Sequence, residues 1–190
     1  PNIHVYLEIR PEESKLLLGS LVPSTAVDLK MRGVFTRLFK RLGFDNDDKE
    51  VDQTGLFNNK HFNSEELVAN LIDYMDADND SYNDTNFAKG IESDLPKDYF
   101  PNQRIRYLGQ IAIIPGFTPT RIRQLTPFLT TFGSGRININ LAPSMILNSL
   151  SDNIDESMVQ AIIDFRKSDQ GPFTHQNQNT ELTKIINPQD

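Results

Sequence analysis

Between Asp76 and Gln103 the chain shows neither the 3.6-residue spacing of a helix nor the two-residue alternation of a strand. Asp, Asn and Ser dominate this stretch, and Pro96 and Pro101 stiffen its exit. A loop of this length inside a domain is uncommon unless it has a function or is pinned by something such as a bound ion. The charge distribution points to the same place. Residues 44–100 carry fifteen acidic and four basic groups, so the net charge of −7 belongs to the middle of the chain. Two readings follow: a solvated acidic surface, or a site for a hard cation. An acidic chain also repels a phosphate backbone overall, which argues against nucleic-acid binding.

The flanks of this stretch do show periods. Ile3, Val5, Leu7 and Ile9 share one face of a strand, Pro11 to Ser14 turns, and Lys15 to Leu18 reads as a second strand, so the pair is expected to form a hairpin. From Ser24 the period becomes helical: Val27, Met31, Val34, Phe35, Leu38 and Leu42 fall on one side, with Ser24 or Thr25 as cap and Gly43 closing the end. Asp45 to Asn59 reads as a polar loop. Asn63 and Glu66 form a capping box for a helix whose Leu67, Leu71, Ile72 and Met75 face inward.

Beyond the acidic stretch, helix is expected over Arg106–Ile114, then again after Thr118 and Pro119, with Pro115-Gly116 between them. Ile137, Ile139 and Leu141 alternate with Asn138 and Asn140 and predict a strand over 136–141. Short helices are expected at 143–150 and 155–167, the latter capped by Asp155 with Met158, Ile162 and Phe165 inward. The run 176–179 reads as weakly ordered, followed by a small apolar patch of Leu182, Ile185 and Ile186. The pattern is that of an α+β fold with few strands, drawn from both ends of a helical section.

Three features bear on chemistry. The densest is Asp73, Asp76, Asp78, Asp80 and Asp84 with Asn79, Asn83 and Asn86 interleaved, an oxygen-rich set of the kind calcium takes. Asp76, Asp78 and Asp80 copy positions 1, 3 and 5 of an EF-hand, but Ser81 stands where its glycine belongs and Phe87 where its glutamate belongs, so an EF-hand is rejected. The second is the turn Ile114-Pro115-Gly116-Phe117 followed by Arg121 and Arg123, the outline of a helix-hairpin-helix module that offers backbone N–H groups to a DNA phosphate. The third is a lack of catalytic sets. There is no cysteine, the three histidines are scattered, and no nucleophile elbow or Gly-rich phosphate loop occurs, so an enzyme is not expected.

Taken together, the segments resemble the type II secretion minor pseudopilin GspK family. Glu8 to Gly19 resembles the family's E-D-x-x-G-K-I-N-L-N hairpin, and Leu71 to Asp78 its L-x-D-W-x-D-x-D segment. Leu108 to Pro119 is similar to L-x-x-V-x-G-M-T-P, Arg136 to Pro143 to K-I-N-V-N-T-A-P, and Gly171 to Phe173 to a G-x-F near the C-terminus. The family follows D-x-D with a G-A-E-D calcium-binding element. Here the nearest text is Ser81-Tyr82-Asn83-Asp84, and the acid in question is either Asp84 or Glu92 after Gly90-Ile91.

The resemblance implies a pilin-like α+β body with a small antiparallel sheet, formed by residues 1–23 and 134–190. Into it would be inserted a helical domain (SAM-like or helix-hairpin-helix-like) over 24–133, carrying the acidic loop 76–103. It further implies a non-catalytic tip subunit of the secretion pseudopilus that assembles with other minor pseudopilins and binds no nucleic acid. Calcium would be held by Asp73, Asp76, Asp78, Asp80 and Asp84. The location implied is the periplasmic face of the inner membrane, anchored by a hydrophobic helix ahead of Pro1. The alternative is a helix-hairpin-helix nucleic-acid-binding module.

Overall fold

The computed structural model describes residues 11–186. Its helices are α1 (Leu29–Arg41), α2 (Ser64–Met75), α3 (Pro119–Leu125), α4 (Ser144–Ser149), α5 (Glu156–Lys167) and α6 (Gln178–Ile186). Short 3-10 turns lie at Glu12–Ser14, Leu18–Ser20, Glu92–Asp94 and Leu108–Ile113. Strands β1 (Leu16–Leu17) and β2 (Leu129–Thr130) form the sheet. Among the described residues no helix is long and apolar enough to cross a membrane.

The helix ends follow from local chemistry. Asp28, not Ser24 or Thr25, caps α1: its carboxylate accepts from the N–H groups of Lys30 (2.9 Å) and Met31 (3.0 Å). A longer helix is prevented because the Asp28 N–H is already tied to the Leu21 carbonyl at 2.9 Å. At the other end Gly43 adopts φ 83°, Phe44 N–H bonds Phe39 O at 3.2 Å, and Gly43 N–H bonds Lys40 O at 3.0 Å. That pair of bonds is a Schellman motif. The Asn63–Glu66 capping box opens α2 as expected, and Thr118 with Pro119 opens α3.

The core is built where α1 and α2 face each other. Phe35, Leu38, Phe39, Leu67, Leu71 and Ile72 are fully buried. The Phe39 ring lies 5.4 Å from Phe44 and 6.0 Å edge-on from Phe117, which brings the Pro115-Gly116 turn onto the same core. Gly116 has φ 88°, and a Cβ there would sit 2.8 Å from side-chain carbons of both Phe62 and Leu67. The turn thus approaches α2 as closely as it does only because that residue has no side chain. On its other side α1 packs against α4, and α5 and α6 follow outward.

Several expectations for the strands are corrected. Lys15 to Leu18 does contain a strand, but it pairs in parallel with β2, Leu16 opposite Leu129 and Leu17 opposite Thr130. The antiparallel hairpin with 3–10 falls on residues outside the described ones. The expected strand over 136–141 does not form. Asn138 folds the chain instead: its side chain accepts from Asn140 N–H at 3.0 Å, and its carbonyl accepts from Leu141 and Ala142 at 3.0 and 2.9 Å. Local Asn bonds compete with a ladder and win here.

Two helical expectations also change. Arg106–Ile114 contains only a 3-10 turn, because the Gln110 side chain accepts from the N–H groups of Arg106 and Tyr107 and tightens its start. The run 176–179, expected to be weakly ordered, turns and then enters α6 at Gln178, and Leu182 and Ile185 hold that helix against the core. Asp155 caps α5 as expected, with Val159 and Ile162 as its buried residues.

Gly116→Ala should lower unfolding free energy by about 2–5 kcal/mol, combining left-handed strain with overpacking. Gly43→Ala, at a similar φ but with nothing within 4 Å, should cost only the strain, about 1–2 kcal/mol. Urea unfolding of both variants measures the difference.

Candidate cation site in the acidic loop

Asp73 lies on the last turns of α2 and is fully buried. Its carboxylate is not solvated but surrounded by main chain. Tyr82 N–H donates to Oδ1 at 2.6 Å, and the N–H groups of Ile91 and Glu92 donate to Oδ2 at 2.6 and 2.8 Å. Burial still holds the Asp73 carboxyl above its usual range, against the lowering effect of these three bonds. Gly90 is required by this arrangement, since a Cβ there would run into the Asp73 carboxylate. The two limbs of the loop are cross-tied as well. Ser81 N–H donates to Ser93 Oγ at 2.9 Å and Ser93 N–H to Ser81 Oγ at 2.8 Å, while Gly90 N–H bonds Tyr82 O at 2.8 Å.

This scaffold leaves single oxygens of two other acids without partners. Asp76 caps the C-terminus of α2, and its Oδ1 is buried without a hydrogen bond. Glu92 is 8% exposed, and its Oε2 is buried and unpartnered, as is Oδ1 of Asn102. The Asn102 amide reaches the Asp78 carbonyl and, at 3.2 Å, Asn79 Oδ1, which brings the far end of the loop back to its start. Desolvation, then the neighbouring charges of Asp78, Asp73 and Glu92, push the Asp76 carboxyl up to about 8. Desolvation likewise raises Glu92 to about 7; the Asn102 amide opposes this, and Asp73, Asp78 and Asp80 add to it.

Of the five predicted ligands, Asp73, Asp76 and Asp78 lie near enough to one another and to Glu92 for their charges to interact, Asp80 is exposed and acts on Glu92, and Asp84 is turned elsewhere. Asp84 Oδ2 pairs with Arg32 Nη1 on α1 at 2.5 Å. Asp73 is taken up by main-chain N–H groups. Among the described residues no three His, Asp or Glu side chains stand close enough together to hold a metal ion by themselves. The free oxygens are nonetheless of one kind: carboxylate and amide, buried and short of donors. Such a set fits a hard divalent cation and suits soft or redox metals poorly. Sequence reasoning names Glu92 only as an alternative to Asp84 and misses Asn102, which follows Pro101 in a left-handed conformation at φ 48° that Asn tolerates.

The hairpin turn is chemically closed. The Gly116 N–H, which a helix-hairpin-helix module would turn toward a phosphate, donates to Asp52 Oδ1 at 3.2 Å. Asp52 is itself buried and also accepts from the Thr54 hydroxyl at 2.7 Å. Arg121 points inward and is fully buried, donating to the carbonyls of Gly116 at 3.0 Å and Phe44 at 3.3 Å. An acid occupies the anion position and the arginine is used as a strut, so this turn carries no sign of nucleic-acid binding.

The fold and the acidic loop define a helical chain with a small parallel sheet and an oxygen-lined loop. The type II secretion system (T2SS) protein K family matches residues 14–134, more than half of the chain, and the chain belongs to that family. No curated protein matches it. The chain is similar to one in the crystal structure of the GspK-GspI-GspJ complex from the type 2 secretion system of enterotoxigenic Escherichia coli, with a TM-score of 0.55 and 16% identity. That likeness covers 92% of this chain and 62% of the other, so the chain spans less than two thirds of the protein it resembles.

With divalent cations chelated, the melting temperature should fall as pH rises from about 4, the ordinary carboxylate range, to about 8. Native Asp76 and Glu92 keep protons there that the unfolded chain has released, so deprotonation favours unfolding. Asp76→Asn should flatten that slope in scanning calorimetry, and an unchanged slope would remove Asp76 as its source.

Proposed function

We propose that this chain is a minor pseudopilin of a type II secretion pseudopilus, a non-catalytic subunit that assembles beside other minor pseudopilins at the filament tip. The family match over 14–134 carries this reading, and the fold likeness to a complex of three such proteins supports it. The same reading puts the protein on the periplasmic face of the inner membrane, with an anchoring helix ahead of the present sequence.

The pilin-like body over 1–23 and 134–190, with 24–133 inserted, belongs to the same proposal. What supports it is the closure of the helical section. β1 and β2 run side by side at 16–17 and 129–130, and Asn138 N–H bonds the Glu13 carbonyl at 2.9 Å. The chain thus enters and leaves the helical section at one place, as an insertion must.

Calcium is the second part. Asp76, Asp78, Glu92 and Asn102 supply oxygens for it, with Asp80 at the rim, Asp73 acting as the post around which the loop is wound, and Asp84 held by Arg32. The buried, unpartnered oxygens of Asp76 and Glu92 support the ion most directly. A divalent cation would offset a carboxylate repulsion that the surrounding amides leave uncorrected.

Coexpression with the other minor pseudopilins of the same system should yield one stoichiometric complex by size exclusion; separate elution from every one of them would defeat the assembly reading. Calcium titration by calorimetry should show saturable binding and a raised melting temperature, weakened at least tenfold in Asp76→Asn/Asp78→Asn. Chelation should raise amide exchange within 76–103 and leave α4 and α5 protected.

A further inference from the structure

Arg32 joins the acidic loop to α1 by a contact that no hydrophobic period foretells. Its guanidinium lies over the Phe87 ring at 4.2 Å and near the Tyr82 ring at 5.8 Å, and its Nη1 meets both the Tyr82 hydroxyl and Asp84 Oδ2. The Tyr82 and Phe87 rings meet edge-on at 6.2 Å, closing an aromatic clasp around the cation of the side chain. Tyr82, one side of this clasp, also ties the two limbs of the loop together. Tyr82 N–H donates to Asp73, and Tyr82 O accepts from Gly90, whose successors Ile91 and Glu92 complete the Asp73 carboxylate.

We propose that Arg32 is a positioning residue for the cation: through Tyr82 and Asp84 it sets the loop so that Glu92 converges on Asp76 and Asp78 before the ion arrives. Asp84 serves as the anchor of this clasp and not as a ligand. The inference rests on the calcium reading above and assigns Arg32 a role opposite to the one simple electrostatics would give. A guanidinium near a cluster of carboxylates opposes the entry of a second cation, so on charge alone its removal tightens calcium binding. Removal weakens binding only if Arg32 acts by holding the loop in shape. Pre-formed geometry then lowers the ordering cost that the ion would otherwise meet.

The test is calcium titration by calorimetry of wild type, Arg32→Ala, Arg32→Lys, Asp84→Asn and the Arg32→Ala/Asp84→Asn double variant, with amide exchange of 80–93 measured in EDTA. Expected are an at least tenfold loss of affinity in Arg32→Ala and Asp84→Asn, no further loss in the double variant, and unchanged stoichiometry. Arg32→Lys should recover only part, since an ammonium cannot stack as the guanidinium does. The N–H groups of Tyr82, Ile91 and Glu92 should exchange faster in the metal-free single variants, while α2 remains protected. Unchanged or tighter binding in Arg32→Ala overturns the positioning role, and so does unchanged exchange at those three amides. Loss of binding in Asp84→Asn with none in Arg32→Ala makes Asp84 a ligand and overturns it equally. A wild type that takes up no calcium sinks the cation reading and this inference with it.

Discussion

A single buried carboxylate decides the shape of the middle third of this protein. The backbone of a long aperiodic segment has no ladder in which to satisfy its polar groups, and those that are buried need partners from elsewhere. Asp73 supplies what secondary structure does not, accepting three N–H groups from two limbs that are nine to nineteen residues away in sequence. Once those bonds form, Gly90 must be glycine, Ser81 and Ser93 come within reach of each other, and Tyr82 faces Arg32. The Asp73 side chain is fixed near the end of α2, so the loop is tied to the core that α1 and α2 share. Order here comes from electrostatics and main-chain bonds, with Tyr74, Ile91 and Phe100 adding apolar anchors.

Much of the helical framework is legible in the sequence because caps are local. Asn63 with Glu66, Thr118 with Pro119, Asp155 and Gly43 each act within four residues, so their geometry is written in adjacent letters. Strands are harder to read, because the chemistry that decides them is not local. Ile137 to Leu141 alternates like a strand, yet Asn140 trades both amide groups with Phe173: its Nδ2 donates to the Phe173 carbonyl at 2.8 Å, and its Oδ1 accepts from the Phe173 N–H at 2.9 Å. The two motifs that carry the family resemblance in this region are thus one structural unit, joined further by Arg166 on the carbonyls of Ile139 and Ala142. A two-residue parallel pairing leaves no mark in a sequence at all. In the acidic loop the count of Asp residues marks the place but not the members. Asp84 and Glu92 look equivalent on paper, and only the folded positions of Arg32 and Asp73 separate them.

The hairpin turn shows how little an outline says about chemistry. Ile114 to Phe117 has the turn, the glycine and the nearby arginines of a phosphate-binding module, and its Gly116 N–H is spent on Asp52 while Arg121 holds the turn to the Phe44 carbonyl. The same two features that would have met DNA have become a fastening between the 45–60 loop and α3. Fold-level likeness transfers shape, and the site residues decide what the shape is used for.

One helix connects these parts. On α1, Arg32 takes hold of the acidic loop, and one turn further on Arg37 donates to the carbonyls of Ser149 at 2.8 Å and Leu150 at 2.9 Å, which α4 would otherwise leave unpaired at its end. Its apolar face meanwhile contributes Phe35, Leu38 and Phe39 to the core. The frame that carries the loop is therefore complete without any ion, and an ion in the loop would act on a local surplus of buried carboxylate and not on the fold as a whole. Local inconsistency in an otherwise consistent chain is where function is expected to lie. Asp76 and Glu92, each with a buried oxygen that the scaffold gives no donor, are that inconsistency here.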